Sequence, residues 1–118
     1  KVSDSDLSVL NNLYNLEYLS LSLIGIRDIS AVDWGKLNGL DHLSIHGNEI
    51  KDISPLSDCF NLDILNVHDN NIEDISPLTN ISTLEYVSLN GNDLDLSEGS
   101  DDMNVINDLE ANEVDVDY

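Results

Sequence analysis

Basic residues are scarce in this sequence: 4 Lys and Arg stand against 24 Asp and Glu, a net charge of −20. Nucleic-acid phosphates and anionic lipid repel such a chain at long range, which argues against both as partners. Cysteine occurs once, at Cys59, so no internal disulfide can form and the redox compartment stays open. No apolar run approaches the roughly 20 residues of a bilayer-spanning helix. The first residues, KVSDSD, carry no Met, no basic segment and no apolar segment of a secretory signal. No Gly-rich phosphate loop and no nucleophile–base–acid grouping is visible. Proline occurs twice, and both copies fall inside one repeated phrase.

That phrase is what the sequence has instead. Asn48 to Leu56 reads NEIKDISPL and Asn70 to Leu78 reads NNIEDISPL, with seven of nine residues identical at an offset of 22. A third copy, IGIRDISAV, runs from Ile24 to Val32. Aligning on it makes Leu16, Leu40, Leu62 and Leu84 equivalent. From them run LEYLSLSLIGI, LDHLSIHGNEI, LDILNVHDNNI and LEYVSLNGNDL, which match L-x-x-L-x-L-x-x-N-x-L, the leucine-rich repeat pattern. Ile24 alone departs, standing where the others have Asn48, Asn70 and Asn92.

The period-2 alternation predicts one short strand per repeat. Strands that always run the same way stack into a parallel sheet at about 4.8 Å per step. The three asparagines fall where the chain leaves the strand, where a buried amide satisfies otherwise orphaned backbone groups. Lacking that amide, Ile24 predicts a looser first turn or an edge role. Ile50, Ile53, Leu56, Ile72, Ile75 and Leu78 are expected inside. Pro55 and Pro77 fit a turned or extended return path, and Asp28, Asp52 and Asp74 are placed to cap local turns. Cys59 aligns with Leu13, Leu37 and Ile81, all read as inward positions, so it reads as a small core residue. Trp34 lies in a two-residue insertion within residues 33–36 and is expected to cover the convex turn.

The fold class is therefore an α/β repeat solenoid: a short parallel concave sheet of about four strands, an irregular or 3₁₀ convex side, and a C-terminal cap of helix plus strand. The expected divisions of this single domain are a partial repeat 1–15, full repeats 16–39, 40–61 and 62–83, a last partial repeat 84–96, and a cap 97–118. Met103, Ile106 and Leu109 fall at helical spacing behind Ser100 as N-cap, and Val114 and Val116 alternate as in a final strand. Because residues 7–16 match 75–84, the chain is expected to begin within a repeat and to be a piece of a longer protein.

On a concave sheet the non-leucine strand positions form four columns. They are Glu17, Asp41, Asp63 and Glu85; Tyr18, His42, Ile64 and Tyr86; Ser20, Ser44, Asn66 and Ser88; and Ser22, His46, His68 and Asn90. The acidic column places like charges on neighbouring strands, which points to a basic or cation-bearing partner or else follows from the acidity of the whole chain. His46 and His68 fall on adjacent strands, yet His42 lies about 13 Å away along the strand and only Asp69 adds a donor. Zinc takes three or four ligands, so no metal or cofactor is expected. Residues 93–104 fail as a calcium loop, with the glycine one position late and Asn104 where a glutamate is needed. Asn80–Ser82 forms a glycosylation sequon, meaningful only in a eukaryotic secretory setting.

The DISPL phrases, the Gly-Asn turns and the ending GNDLDLSEGSDDMNVINDLEANEVDVDY together resemble bacterial internalin-like leucine-rich repeat proteins. The likeness runs from about Asp4 to Tyr118. Asp93 stands where that family often has Pro, Glu113 where it often has Gly, and acids replace many lysines. The resemblance implies a surface-exposed or secreted bacterial protein whose repeat domain binds another protein without catalysis. Expected contacts on the concave face are Tyr18, His42, His46, Ile64, Asn66, His68, Tyr86 and Asn90, on a monomer. Two alternatives are a structural spacer for a neighbouring domain and an intracellular adaptor of a protein enzyme.

Overall fold

A computed structural model describes residues 2–118. Five strands form one parallel sheet in chain order: β1 (Tyr18–Ser20), β2 (His42–Ser44), β3 (Ile64–Asn66), β4 (Tyr86–Ser88) and β5 (Asp115–Asp117). Register is strict, with Leu19, Leu43, Leu65, Val87 and Val116 side by side. The cap strand is thus a fifth rung of the sheet, one more than the repeats alone predict. On the convex side lie 3₁₀ turns at Asp4–Asn12, Trp34–Lys36, Ser54–Asp58 and Ser76–Asn80. The helix α1 (Asp101–Ala111) packs against the last of these turns and against β5.

The core is a stack of equivalent apolar positions. Ile26, Ile50 and Ile72 leave the strands, and Ile29, Ile53 and Ile75 open the convex turns. Leu43, Leu65 and Val87 lie beneath the sheet; all nine are fully buried. Burying each Leu or Ile is worth about 1.5–3 kcal/mol relative to exposure. Trp34 is buried as well, and its indole N–H donates to the Ile29 carbonyl at 3.0 Å, so the insertion supplies core rather than surface. Cys59 is buried, and desolvation, reinforced by the Asp58 charge, pushes its thiol up to about 12. Leu13 differs from its column: it is 45% exposed, because no described strand or turn stacks on that side of it.

The asparagines tie the stack together by reaching back one repeat. Asn70 accepts from the Ile50 N–H at 3.1 Å and donates to the carbonyls of Ile45 and Val67 at 3.1 and 3.0 Å. Asn92 accepts from Ile72 and donates to Val67 and Leu89. Asn48 accepts from both Ile24 and Ile26 and donates to Leu21 and Ile45. The first turn is therefore not loosened by Ile24. Its amide comes from the following repeat, and Leu21 and Leu23 also donate to Ser44 and His46. Ile24 holds the edge position instead.

Aspartates set the convex turns. The carboxylates of Asp28, Asp52 and Asp74 accept from the N–H groups of Ser30, Ser54 and Ser76 at 2.8, 2.8 and 2.9 Å. Asp95 repeats the device with Ser97, and Ser100 caps α1 by accepting from the Met103 N–H at 3.1 Å. The Ser76 N–H, followed by its hydroxyl, holds the Asp74 carboxyl below the usual carboxylate value.

Two outcomes are expected. Asn70→Ala strands one N–H and two carbonyls and should cost about 3 kcal/mol or more in urea unfolding, against less than roughly 0.5 for Asn71→Ala, whose side chain bonds nothing described. Asp74→Ala should cost roughly 0.5–1 kcal/mol at neutral pH after solvent screening. The folded carboxyl titrates below its unfolded value of about 3.9, so the wild-type advantage is complete above that pH. It closes as pH falls through the lowered folded value; a gap unchanged in acid would contradict the turn-capping role.

Candidate functional site: the concave sheet face

Three-residue strands offer few outward positions, and register decides which side chains meet. Tyr18, His42, Ile64 and Tyr86 occupy one row across β1 to β4, and β5 adds Asp115 to it. Tyr18 is 56% exposed and leans on His42, with ring centroids 4.5 Å apart and planes inclined at 53°. His42, Ile64 and Tyr86 are half-buried. The next row is Ser20, Ser44, Asn66, Ser88 and Asp117. Here the structure departs from a uniformly solvated column: Ser44 and Ser88 are buried, with the Ser44 hydroxyl 3.1 Å from that of Ser22 and the Ser88 hydroxyl donating to Asn90 at 3.2 Å. Asn66 remains half-buried and Asn90 exposed.

Beyond the strands, His46 and His68 stack face to face, with centroids 4.4 Å apart and planes within 9°. The His68 Nδ1 lies 2.9 Å from an Asp69 carboxylate oxygen. Among the described residues, no group of three or more His, Cys, Asp or Glu is placed to hold a metal ion. The stacked rings form an aromatic ledge beside the strands.

The backbone beside this ledge is shaped by one column. Leu23, Gly47, Asp69 and Gly91 all have positive φ, at 63°, 70°, 57° and 74°. A Cβ at Gly47 would overlap the Leu23 side chain, and one at Gly91 would overlap the Asp69 carboxylate. Glycine alternates with a larger residue because adjacent rungs leave room for only one of the two side chains. Glu113 also has a positive φ, 65°, where the resembled family often has Gly.

Of the eight contact residues expected from the sequence, four lie in two ring pairs, Tyr18 with His42 and His46 with His68, and Ile64 stands beside Tyr86 in register. Sequence reasoning missed Asp115 and Asp117, whose register emerges only when Val116 is set against Val87, and the exposed rings of Tyr14 and Phe60 in the turns before β1 and β3. Removing one ring tests the histidine ledge: His46→Ala should move the His68 ring protons downfield in NMR as the neighbouring ring current is lost. Unchanged shifts would mean that the rings do not stack in solution.

Three comparisons bear on this fold. A family model described as "Leucine Rich repeats (2 copies)" matches residues 38–80. The crystal structure of an internalin (inlF) from Listeria monocytogenes str. 4b F2365 aligns at 29% identity with a TM-score of 0.75, covering 92% of this chain and 29% of that one. The internalin C2 (inlC2) structure from the same strain aligns at 29% identity and a TM-score of 0.57, covering 76% of this chain and 49% of that one. This chain thus corresponds to less than half of either neighbour. No curated protein matches it. The in-register repeats and the helix-plus-strand cap make the chain a leucine-rich repeat solenoid, and these comparisons show it to be similar to the internalins.

Proposed function

We propose that this domain is a non-catalytic recognition module that binds a protein partner through its concave face, within a bacterial surface or secreted protein. The observation that carries this is the two-cluster face itself: Tyr18 on His42 and His46 on His68, rings at the surface of a sheet whose core lies entirely on the other side. Aromatic side chains on rigid backbone are the usual anchors of protein interfaces. Ile64, Asn66, Tyr86 and Asn90 complete the contact surface between and beside them. The internalin neighbours support the surface or secreted setting. The domain acts as a monomer, and its charge of −20 disfavours nucleic acid.

The test is a pull-down from extracts of the source cell and of candidate host cells. One bait is the domain; the other carries Tyr18→Ala, His68→Ala and Tyr86→Ala, with its fold checked by circular dichroism. A protein held at least about tenfold better by the unaltered bait is expected, the loss of these three side chains being worth that much or more. Equal capture by both baits, or none by either, would favour the spacer reading.

A further inference from the structure

The sequence contains two Leu-Asn-Gly triplets, ending in Asn38–Gly39 and Asn90–Gly91, and the second falls on the concave face. Ser22, His46, His68 and Asn90 each precede a residue with positive φ, and Asn90 alone brings a carboxamide to that place. Its amide differs from that of Asn92, which is occupied by three backbone groups of the joint. Asn90 is exposed, and its Oδ1 accepts a hydrogen bond from the hydroxyl of the buried Ser88 at 3.2 Å. The nitrogen that follows is also set apart. The N–H groups of Leu23, Gly47 and Asp69 donate to the carbonyls of His46, His68 and Asn90 on the next rung, at 2.9–3.1 Å. Beyond β4 the only further rung is β5, which ends at Asp117, and the Gly91 N–H has no hydrogen-bond partner among the described residues.

We propose that Asn90–Gly91 is a self-modification site, at which the chain converts an asparagine of its concave face into aspartate or isoaspartate. The Gly91 nitrogen loses its proton to solvent hydroxide and attacks Asn90 Cγ. An N–Cγ bond forms, and the Cγ–Nδ2 bond breaks with its electron pair on Nδ2, which takes a proton from water and leaves as ammonia. The product is a cyclic imide. Water then opens it at Cγ, giving aspartate, or at the Asn90 main-chain carbonyl, giving isoaspartate with the backbone routed through the side chain. Water is consumed and ammonia released, with no oxidant or reductant. Nucleophile and carbonyl sit on adjacent residues, and glycine has no Cβ to hinder ring closure. Negative charge builds on Oδ1, where the Ser88 O–H is already in place. Packing preserves the pair, since a Cβ at Gly91 would overlap the Asp69 carboxylate.

Either product adds one negative charge to the −20 of the chain, one rung from His68. Isoaspartate also lengthens the main chain by the side-chain methylene, between β4 and the Asn92 joint. Because Asn90 belongs to the proposed contact surface, a chain that has reacted presents its partner with a carboxylate where a new chain presents a carboxamide. That consequence rests on the recognition-module reading; the chemistry does not. Asn38–Gly39 supplies an internal comparator. It is exposed, it follows the convex turn Trp34–Lys36, and its Gly39 N–H is equally free among the described residues. No described hydroxyl reaches the Asn38 carboxamide, so the two sites differ in the Ser88 bond.

The experiment incubates the domain at neutral pH and body temperature in heavy-oxygen water, both folded and in urea, and follows the two asparagines by peptide mass spectrometry. Each imide that opens takes heavy oxygen from the solvent, so label at Asn38 or Asn90 measures its reaction. In urea the two triplets are expected to react at similar rates. In the folded domain Asn90 should react at least about threefold faster than Asn38, a fraction of what a buried oxyanion donor gives because this amide is open to water. Ser88→Ala should erase most of that lead and leave Asn38 unchanged, with urea unfolding as the check that the variant keeps its fold. Asn90→Gln assigns the label by removing it from that position. Asn90 labelled in urea but not in the folded domain would mean that the fold shields the pair, and would overturn the site. Equal folded rates at the two asparagines, or a Ser88→Ala rate matching the parent, would leave only the chemistry of any Asn-Gly pair and overturn it as well. No partner enters the readout, so a failure of the concave reading in the pull-down leaves this result standing, and the reverse.

Discussion

The structure depends on a buried amide that serves two repeats at once. A parallel sheet of three-residue strands leaves most of each repeat outside the ladder, and the chain must turn sharply away from every strand. Asn48, Asn70 and Asn92 resolve this by accepting N–H groups of the turn before and donating to carbonyls on both sides of the joint. Among the described residues no buried side-chain nitrogen or oxygen lacks a partner. With the polar joints closed, the apolar columns beneath can be continuous, and the concave face inherits its flat, fixed register from them.

That rigidity gives meaning to the side chains on the outer face. A tyrosine or histidine on a mobile loop loses rotational freedom when it meets a partner, whereas one on a laddered strand has already lost much of it. Glu17, Asp41 and Asp63 are held in the same way, since the carbonyl of each is bonded twice to the next strand. Scaffold and concave face are two sides of a single set of hydrogen bonds.

The fold was legible because its period is written into the chain. Leucine spacing located four strands, the repeated phrase located the convex turns, and Ser100 located the start of α1. What stayed hidden depends on stacking rather than spacing. The exposure of Leu13 reflects the absence of a neighbouring layer. The burial of Ser44 and Ser88 reflects hydroxyls closing on Ser22 and Asn90. Of the two outcomes expected at Ile24 the edge position holds and the loosened turn does not, because the amide of a given repeat acts on the turn before it, a direction that no single-repeat pattern contains. On the concave face the columns were readable, but the pairing of rings within them and the contribution of β5 were not, since both require the three-dimensional register.

The backward reach of the asparagines gives the solenoid a polarity. Removing a repeat from the C-terminal side strips the amide from the turn before it, leaving Ile50 or Ile72 with an orphaned N–H, whereas removing one from the N-terminal side leaves the amide in place and takes away its partners, which for Asn48 are the Ile24 and Ile26 N–H groups and the Leu21 carbonyl. Nearest-neighbour coupling of this kind makes unfolding a travelling front. A pull on the C-terminus must first peel α1 and β5 from the last rung, after which each repeat released weakens the one before it. The cap therefore works as a mechanical latch at the end from which the stack would unzip.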